Sequence, residues 1–127
     1  MNYRILVVDD SKLARMAVAK VLAAGYPDWV RVEAANADDA VARVREAAVD
    51  LAVVDFNMPG RDGLELVAEL HALNPGMPLA VISANHQTEI VTRVGEAGAT
   101  FLAKPLTEAA MRTFLDAAVK RLEAAKS

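Results

Sequence analysis

The chain has 127 residues, with 14 basic against 17 acidic side chains and a formal net charge of −3. That length fits one domain over residues 1–127, and that charge provides no field for a nucleic-acid backbone or an anionic membrane. There is no cysteine, so disulfide frameworks, thiolate metal sites and cysteine nucleophiles are excluded. No apolar stretch approaches the roughly 18 residues of a membrane span. The apolar run after Met1-Asn2-Tyr3-Arg4 meets two aspartates at once, which no signal peptide does, so the expected setting is the cytoplasm.

In chain order, Ile5-Leu6-Val7-Val8 predicts a first strand. Leu13, Met16, Ala17, Val21 and Ala24 recur at helical spacing and predict a first helix with these residues as its apolar stripe, stopped by Gly25 and Pro27. Val30-Arg31-Val32 alternates apolar and polar, as a strand near an edge does, and the sole tryptophan, Trp29, precedes it at the amino edge of the sheet. Asn36 reads as the N-cap of a second helix, with Asp38 and Asp39 in its first turn and a stripe of Ala37, Ala40, Val41, Val44 and Ala48.

Leu51-Ala52-Val53-Val54 is the third strand. Leu66, Val67, Leu70 and Leu73 mark the third helix, closed by Asn74-Pro75-Gly76. Leu79-Ala80-Val81-Ile82 is the fourth strand, and Ile90, Val91, Val94 and Ala97 mark a fourth helix ending at Gly98. Phe101-Leu102-Ala103 is the fifth strand. Met111, Phe114, Leu115, Ala118 and Leu122 mark a fifth helix that frays over Lys120–Ser127. The first, third and fourth runs are apolar throughout, as strands covered on both faces are. Five strands alternating with five helices predict an α/β domain with a parallel sheet and right-handed crossovers.

In such a sheet, sites form beyond the carboxyl ends of the strands. Asp9-Asp10-Ser11 follows the first strand and Asp55-Phe56-Asn57-Met58-Pro59-Gly60 the third; Ser83-Ala84-Asn85 follows the fourth and Lys104-Pro105 the fifth. Three carboxylates, a hydroxyl and an ammonium therefore share one edge. Asp10 or Ser11 alone would serve as a helix cap, but one helix needs one cap. Two carboxylates about 4 Å apart repel by roughly 4 kcal/mol at an effective dielectric of 20, and one lysine cannot neutralise three. A hard divalent cation can, and oxygen donors favour Mg²⁺. A carboxylate left over is then available as a nucleophile forming an aspartyl phosphate, with Lys104 and Ser83 contacting the phosphoryl oxygens.

The segments Val7-Val8-Asp9-Asp10-Ser11, Asp55-Phe56-Asn57-Met58-Pro59-Gly60-Arg61-Asp62-Gly63, Ser83-Ala84 and Gly98-Ala99-Thr100-Phe101-Leu102-Ala103-Lys104-Pro105 together resemble the receiver domain of bacterial two-component response regulators, the CheY-like proteins. By that resemblance, Asp55 is the phosphoacceptor, and Asp9 and Asp10 bind Mg²⁺ together with Asp55 and the backbone carbonyl of Asn57. Ser83 is the switch hydroxyl, Phe101 the switch aromatic and Lys104 the phosphate-contacting lysine, and the bond to Pro105 is cis. A haloacid-dehalogenase phosphatase would want Asp-x-Asp after the first strand, where this pair is adjacent. A flavodoxin would want a hydroxyl-rich loop there. His71, His86 and the Arg43/Arg45/Glu46 cluster read as solvated surface.

The expected fold is a doubly wound, flavodoxin-like (βα)5 sheet of order 2-1-3-4-5, with helices one and five on one face and two, three and four on the other. The expected function is a signalling switch rather than an enzyme with an external turnover substrate. It takes a phosphoryl group from a histidine kinase or histidine phosphotransfer protein and signals to a downstream effector through helix four, strand five and helix five. A stand-alone receiver is expected from the chain's extent. The alternatives are a receiver from a larger regulator or hybrid kinase, or a phosphorylation-independent binding module.

Overall fold

The structure, a computed structural model, describes residues 2–58, 60, 62–85 and 87–125. The readings placed on Met1, Pro59, Arg61, His86, Lys126 and Ser127 lie outside the described residues. The elements alternate throughout: β1 (Arg4–Val8), α1 (Lys12–Gly25), β2 (Val30–Ala34), α2 (Ala37–Glu46), β3 (Leu51–Asp55), α3 (Gly63–Leu73), β4 (Leu79–Ser83), α4 (Thr88–Glu96), β5 (Thr100–Ala103) and α5 (Glu108–Ala125). All strand pairs are parallel, and the order is β2-β1-β3-β4-β5, as the sequence predicted.

Alternate residues of the central strands feed two cores. Leu6, Val8, Ala52, Val54, Leu79 and Val81 pack with α2, α3 and α4 on one face. Ile5, Val7, Leu51, Val53, Ala80 and Ile82 pack with α1 and α5 on the other. Every residue of β3 and β4 is buried, which explains why those runs read as uninterrupted apolar sequence. Each fully buried Leu or Ile side chain contributes roughly 1.5–3 kcal/mol, so the central strands anchor the sheet. The alternating β2 is an edge strand with both Val30 and Arg31 exposed.

Local signals act where the sequence placed them. The Asn36 side chain accepts from the Asp39 N–H at 2.8 Å to cap α2. Gly98 takes φ +82° just past α4, a left-handed conformation that favours glycine. Trp29 sits at the amino edge against the rings of Tyr3 and Tyr26, at centroid distances of 5.4 and 4.7 Å. Arg43, Arg45, Glu46 and His71 are exposed.

The stripe predicted for α1 is corrected by the structure. Leu13 and Met16 are 78% and 55% exposed, and the residues α1 buries are Val18 and Leu22. The helix is apolar over so wide an arc that periodicity does not select its inner face. Packing against β1 and α5 makes that choice.

Candidate functional site

All five strands run the same way, so their carboxyl ends meet at one edge, and the winding reverses between β1 and β3, where an open sheet leaves its crevice. β3 delivers Asp55 to that crevice, the turn after β1 delivers Asp9 and Asp10, β4 ends on Ser83, and Lys104 follows β5. Carboxylate oxygens of Asp9, Asp10 and Asp55 all lie within 4.8 Å of one another. Asp9 and Asp55 are only 5% and 3% exposed, whereas Asp10 faces solvent.

Asp9, Ser11, Asp55, Ser83 and Lys104 are each held by a specific bond. The Asp9 N–H donates to the Ala34 carbonyl at 3.1 Å, and its Oδ1 accepts from the Ser11 N–H at 2.9 Å. Ser11 Oγ accepts from the Ala14 N–H at 3.3 Å, so Ser11 is the helix cap and neither aspartate is needed for that task. Lys104 Nζ donates to Asp55 Oδ1 at 2.9 Å. The Ser83 side chain is fully buried, and its Oγ accepts from the Asn85 N–H at 3.0 Å. Asn57 is exposed in the loop after β3, and the Lys104–Pro105 bond is cis.

Phe101 pairs with Val81 and Ala103 with Ser83, so Phe101 lies two residues along the ladder from Ser83 on the same face of the sheet. It is half-buried against the core beneath α2, α3 and α4. Beside the carboxylates a groove of about 330 Å³ opens between α1 and the turn after β5, lined by Ser11, Ala14, Lys104 and Leu106 among others.

The electrostatics are those of a charge trap. Burial pushes the pKa of Asp9 up, the Ser11 N–H opposes this, and the neighbouring charge of Asp55 adds to the rise. Burial of Lys104 acts to lower its pKa, but its hydrogen bond to Asp55 and the surrounding carboxylates outweigh that and leave it raised. Lys104 is thus held as an ammonium and offsets part of the carboxylate charge. Because the folded-state pKa of Asp9 lies above its unfolded value, its contribution to stability is fully present below the unfolded pKa. That contribution is lost as pH rises through the folded value.

At neutral pH an ionised Asp9 therefore costs stability in the metal-free protein. Asp9→Asn keeps an oxygen for the Ser11 N–H and removes the charge. It is expected to raise Tm by several degrees in EDTA at neutral pH, an effect of about 1–2 kcal/mol. The advantage should shrink as pH falls, and thermal melts across that range check it. Melts in millimolar Mg²⁺ should show less cation stabilisation in the variant than in the wild type. An equal Tm in EDTA with the cation effect intact would refute the trap.

Two residues that shape this edge were not singled out from the sequence. A Cβ on Gly63 would lie 2.6 Å from the Asp55 carbonyl oxygen and 2.9 Å from the Phe56 Cα, so only glycine lets α3 start this close to β3. Its N–H donates to the Phe56 carbonyl at 2.9 Å, and Asp62 caps α3 by accepting from the Glu65 N–H at 2.9 Å. The second is Arg15 on α1, whose guanidinium reaches the backbone of Asp9. Glycine in a loop motif marks a close approach and is legible in the sequence; nothing in the sequence distinguishes Arg15 from any helix arginine.

The donor set of three clustered carboxylates fits a hard divalent cation. Among the described residues no helix is long and apolar enough to cross a membrane.

The family model of the response regulator receiver domain matches residues 5–116. The chain is 34% identical over 107 residues to the chemotaxis protein CheY of Thermotoga maritima, covering 83% of this chain and 88% of that protein. It is 36% identical over 103 residues to a cyclic di-GMP phosphodiesterase of the same organism, but spans only 27% of that protein's length. A CheY-like receiver domain from Methanospirillum hungatei superposes with a TM-score of 0.81 at 26% identity, over 98% of this chain and 96% of the other.

Proposed function

Because the chain belongs to the response regulator receiver domain family, the CheY-like signalling modules of two-component systems, we propose that it is a phosphoacceptor switch that takes a phosphoryl group on Asp55. One observation carries the proposal. Asp55 ends the central strand, is 3% exposed, lies in the carboxylate cluster and accepts from Lys104 at 2.9 Å. The donor is a phosphohistidine on a histidine kinase or a histidine phosphotransfer protein. A carboxylate oxygen of Asp55 attacks phosphorus, the bond from phosphorus to the imidazole nitrogen breaks, and the imidazole leaves to take up a proton.

Mg²⁺ would be held by Asp9, Asp10, Asp55 and the backbone carbonyl of Asn57, and when bound it supplies charge neutralisation for the phosphoryl oxygens. Lys104 contributes its ammonium to the same oxygens, and Ser83 its hydroxyl, so the charge is spread over donors already in place. Residues 1–127 form the single receiver unit in this reading. Acetyl phosphate with Mg²⁺, followed by intact mass, tests it: one phosphoryl group should be added and hydroxylamine should remove it. No addition would favour a phosphorylation-independent binding module.

Readout in this proposal uses Ser83 and Phe101. A phosphoryl group adds negative charge and acceptor oxygens. Ser83 exchanges its bond to the Asn85 N–H for one of them, and the loop after β4 follows. Phe101, on the same face two residues along, turns into the space vacated. The surface of α4, β5 and α5 changes and binds the downstream effector. Structures with and without beryllofluoride should differ in the Ser83 loop and the Phe101 rotamer, and Ser83→Ala should accept phosphate yet transmit it poorly. Identical loops and rotamers would refute the readout and leave the phosphorylation chemistry standing.

A further inference from the structure

Arg15 stands on the first turn of α1 with its side chain only 17% exposed. Its guanidinium works in two directions at once. Nε donates to Glu33 Oε1 on β2 at 2.9 Å, and Nη1 donates to the backbone carbonyl of Asp9. Glu33 is fixed in turn, because its other oxygen accepts from Arg31 Nε at 2.9 Å. These hydrogen bonds and charges hold the Glu33 carboxyl below its usual range, that from Arg31 first and that from Arg15 behind it. The planar fork of arginine suits this bridging, since two donors leave one rigid group at a fixed angle.

Neither bond is needed to cap α1 or to extend the β1–β2 ladder. The cap of α1 is supplied by Ser11, and the β1–β2 ladder continues past Val8 through the Asp9 N–H to the Ala34 carbonyl. What the Arg15 bond fixes is the peptide between Asp9 and Asp10. Asp9 is buried and further tied through its carboxylate to Ser11. Asp10 is exposed, so the place of its carboxylate depends on the direction in which the backbone leaves Asp9.

We propose that Arg15 is a positioning residue of the acidic pair: anchored to Glu33, it fixes the Asp9–Asp10 peptide and so holds the Asp10 carboxylate beside those of Asp9 and Asp55 for a divalent cation. This rests on the Mg²⁺ reading of the carboxylate cluster. Groups behind a metal's own ligands that orient them commonly change metal affinity by about 10–100-fold when removed.

The charge of Arg15 separates positioning from a purely electrostatic role. A guanidinium beside a cation site repels the cation, so if Arg15 acted through charge alone, its removal would tighten Mg²⁺ binding. Positioning predicts the opposite. Titration of the purified chain with MgCl₂ by calorimetry should show about tenfold weaker binding in Arg15→Ala than in the wild type. Arg15→Lys keeps the charge but replaces the fork by one ammonium, and should also bind more weakly.

In acetyl phosphate labelling, the Mg²⁺ concentration for half-maximal rate should rise in both variants, while the rate at saturating Mg²⁺ stays within about twofold of wild type. A residue needed only for folding would instead lower the saturated rate. Unchanged or tighter Mg²⁺ binding in Arg15→Ala overturns the proposal. Should Arg15→Ala fail to fold, as judged by its thermal melt, Arg15→Lys decides: weaker binding supports the assignment and wild-type binding overturns it. A wild-type chain with no saturable Mg²⁺ heat would instead remove the metal site, and this inference with it.

Discussion

Asp55→Asn is expected to reduce phosphorylation by acetyl phosphate and Mg²⁺ to background, against one phosphoryl group on the wild-type chain. An amide is not a nucleophile under these conditions, whereas a carboxylate is. The variant is close to isosteric at a position only 3% exposed, and its amide oxygen still accepts from Lys104. Loss of label in a variant with an intact melt is therefore a chemical loss. Removing one of three clustered carboxylates also relieves repulsion, so Tm in EDTA should hold or rise. Intact mass with and without hydroxylamine is the measurement. Label at the wild-type level would move the acceptor elsewhere, with the solvent-facing Asp10 the next carboxylate to replace.

Gly63→Ala carries the largest expected structural effect. The added methyl would meet the Asp55 carbonyl oxygen at 2.6 Å and the Phe56 Cα at 2.9 Å. Both are backbone atoms of β3 and the turn after it, so neither yields as a flexible side chain would. Overpacking of this kind costs about 1–3 kcal/mol, and the better helix propensity of alanine offsets at most about 1 kcal/mol. A fall in Tm of several degrees is expected. Asp55 and the loop carrying Asn57 are what the methyl pushes, so Mg²⁺ affinity and labelling rate should fall with Tm. A glycine mattering only to stability would lower Tm and leave Mg²⁺ affinity as it was. Thermal melts and calorimetric titration of one preparation separate the two.

The sequence alone determined the architecture and the members of the candidate site. The apolar runs at residues 5–8, 51–54 and 79–82 were legible because a strand buried on both faces has no polar positions, and all three became central strands. The alternating Val30-Arg31-Val32 was legible as an edge for the converse reason. Asp9, Asp10, Asp55, Ser83 and Lys104 were legible because parallel strands carry whatever follows them to a common edge, so position in the chain reports position in space.

What the tertiary structure decided lies where one local pattern allows several outcomes. Apolar residues lie on several sides of α1, so its inward face follows from the helices and strands beside it: Val18 and Leu22 are buried, and Leu13 and Met16 ended outside. Of the two candidate caps, Ser11 became the cap, its Oγ accepting from the Ala14 N–H while its own N–H is held by Asp9 Oδ1. The need for glycine at 63 arises from the approach of α3 to β3, a contact between segments that chain order does not measure. The bridge from Arg15 to Glu33 and the Asp9 carbonyl joins α1 to β2 and to the end of β1. A side chain's partner across the fold depends on the angle at which two elements pack, and that angle is set by the whole core.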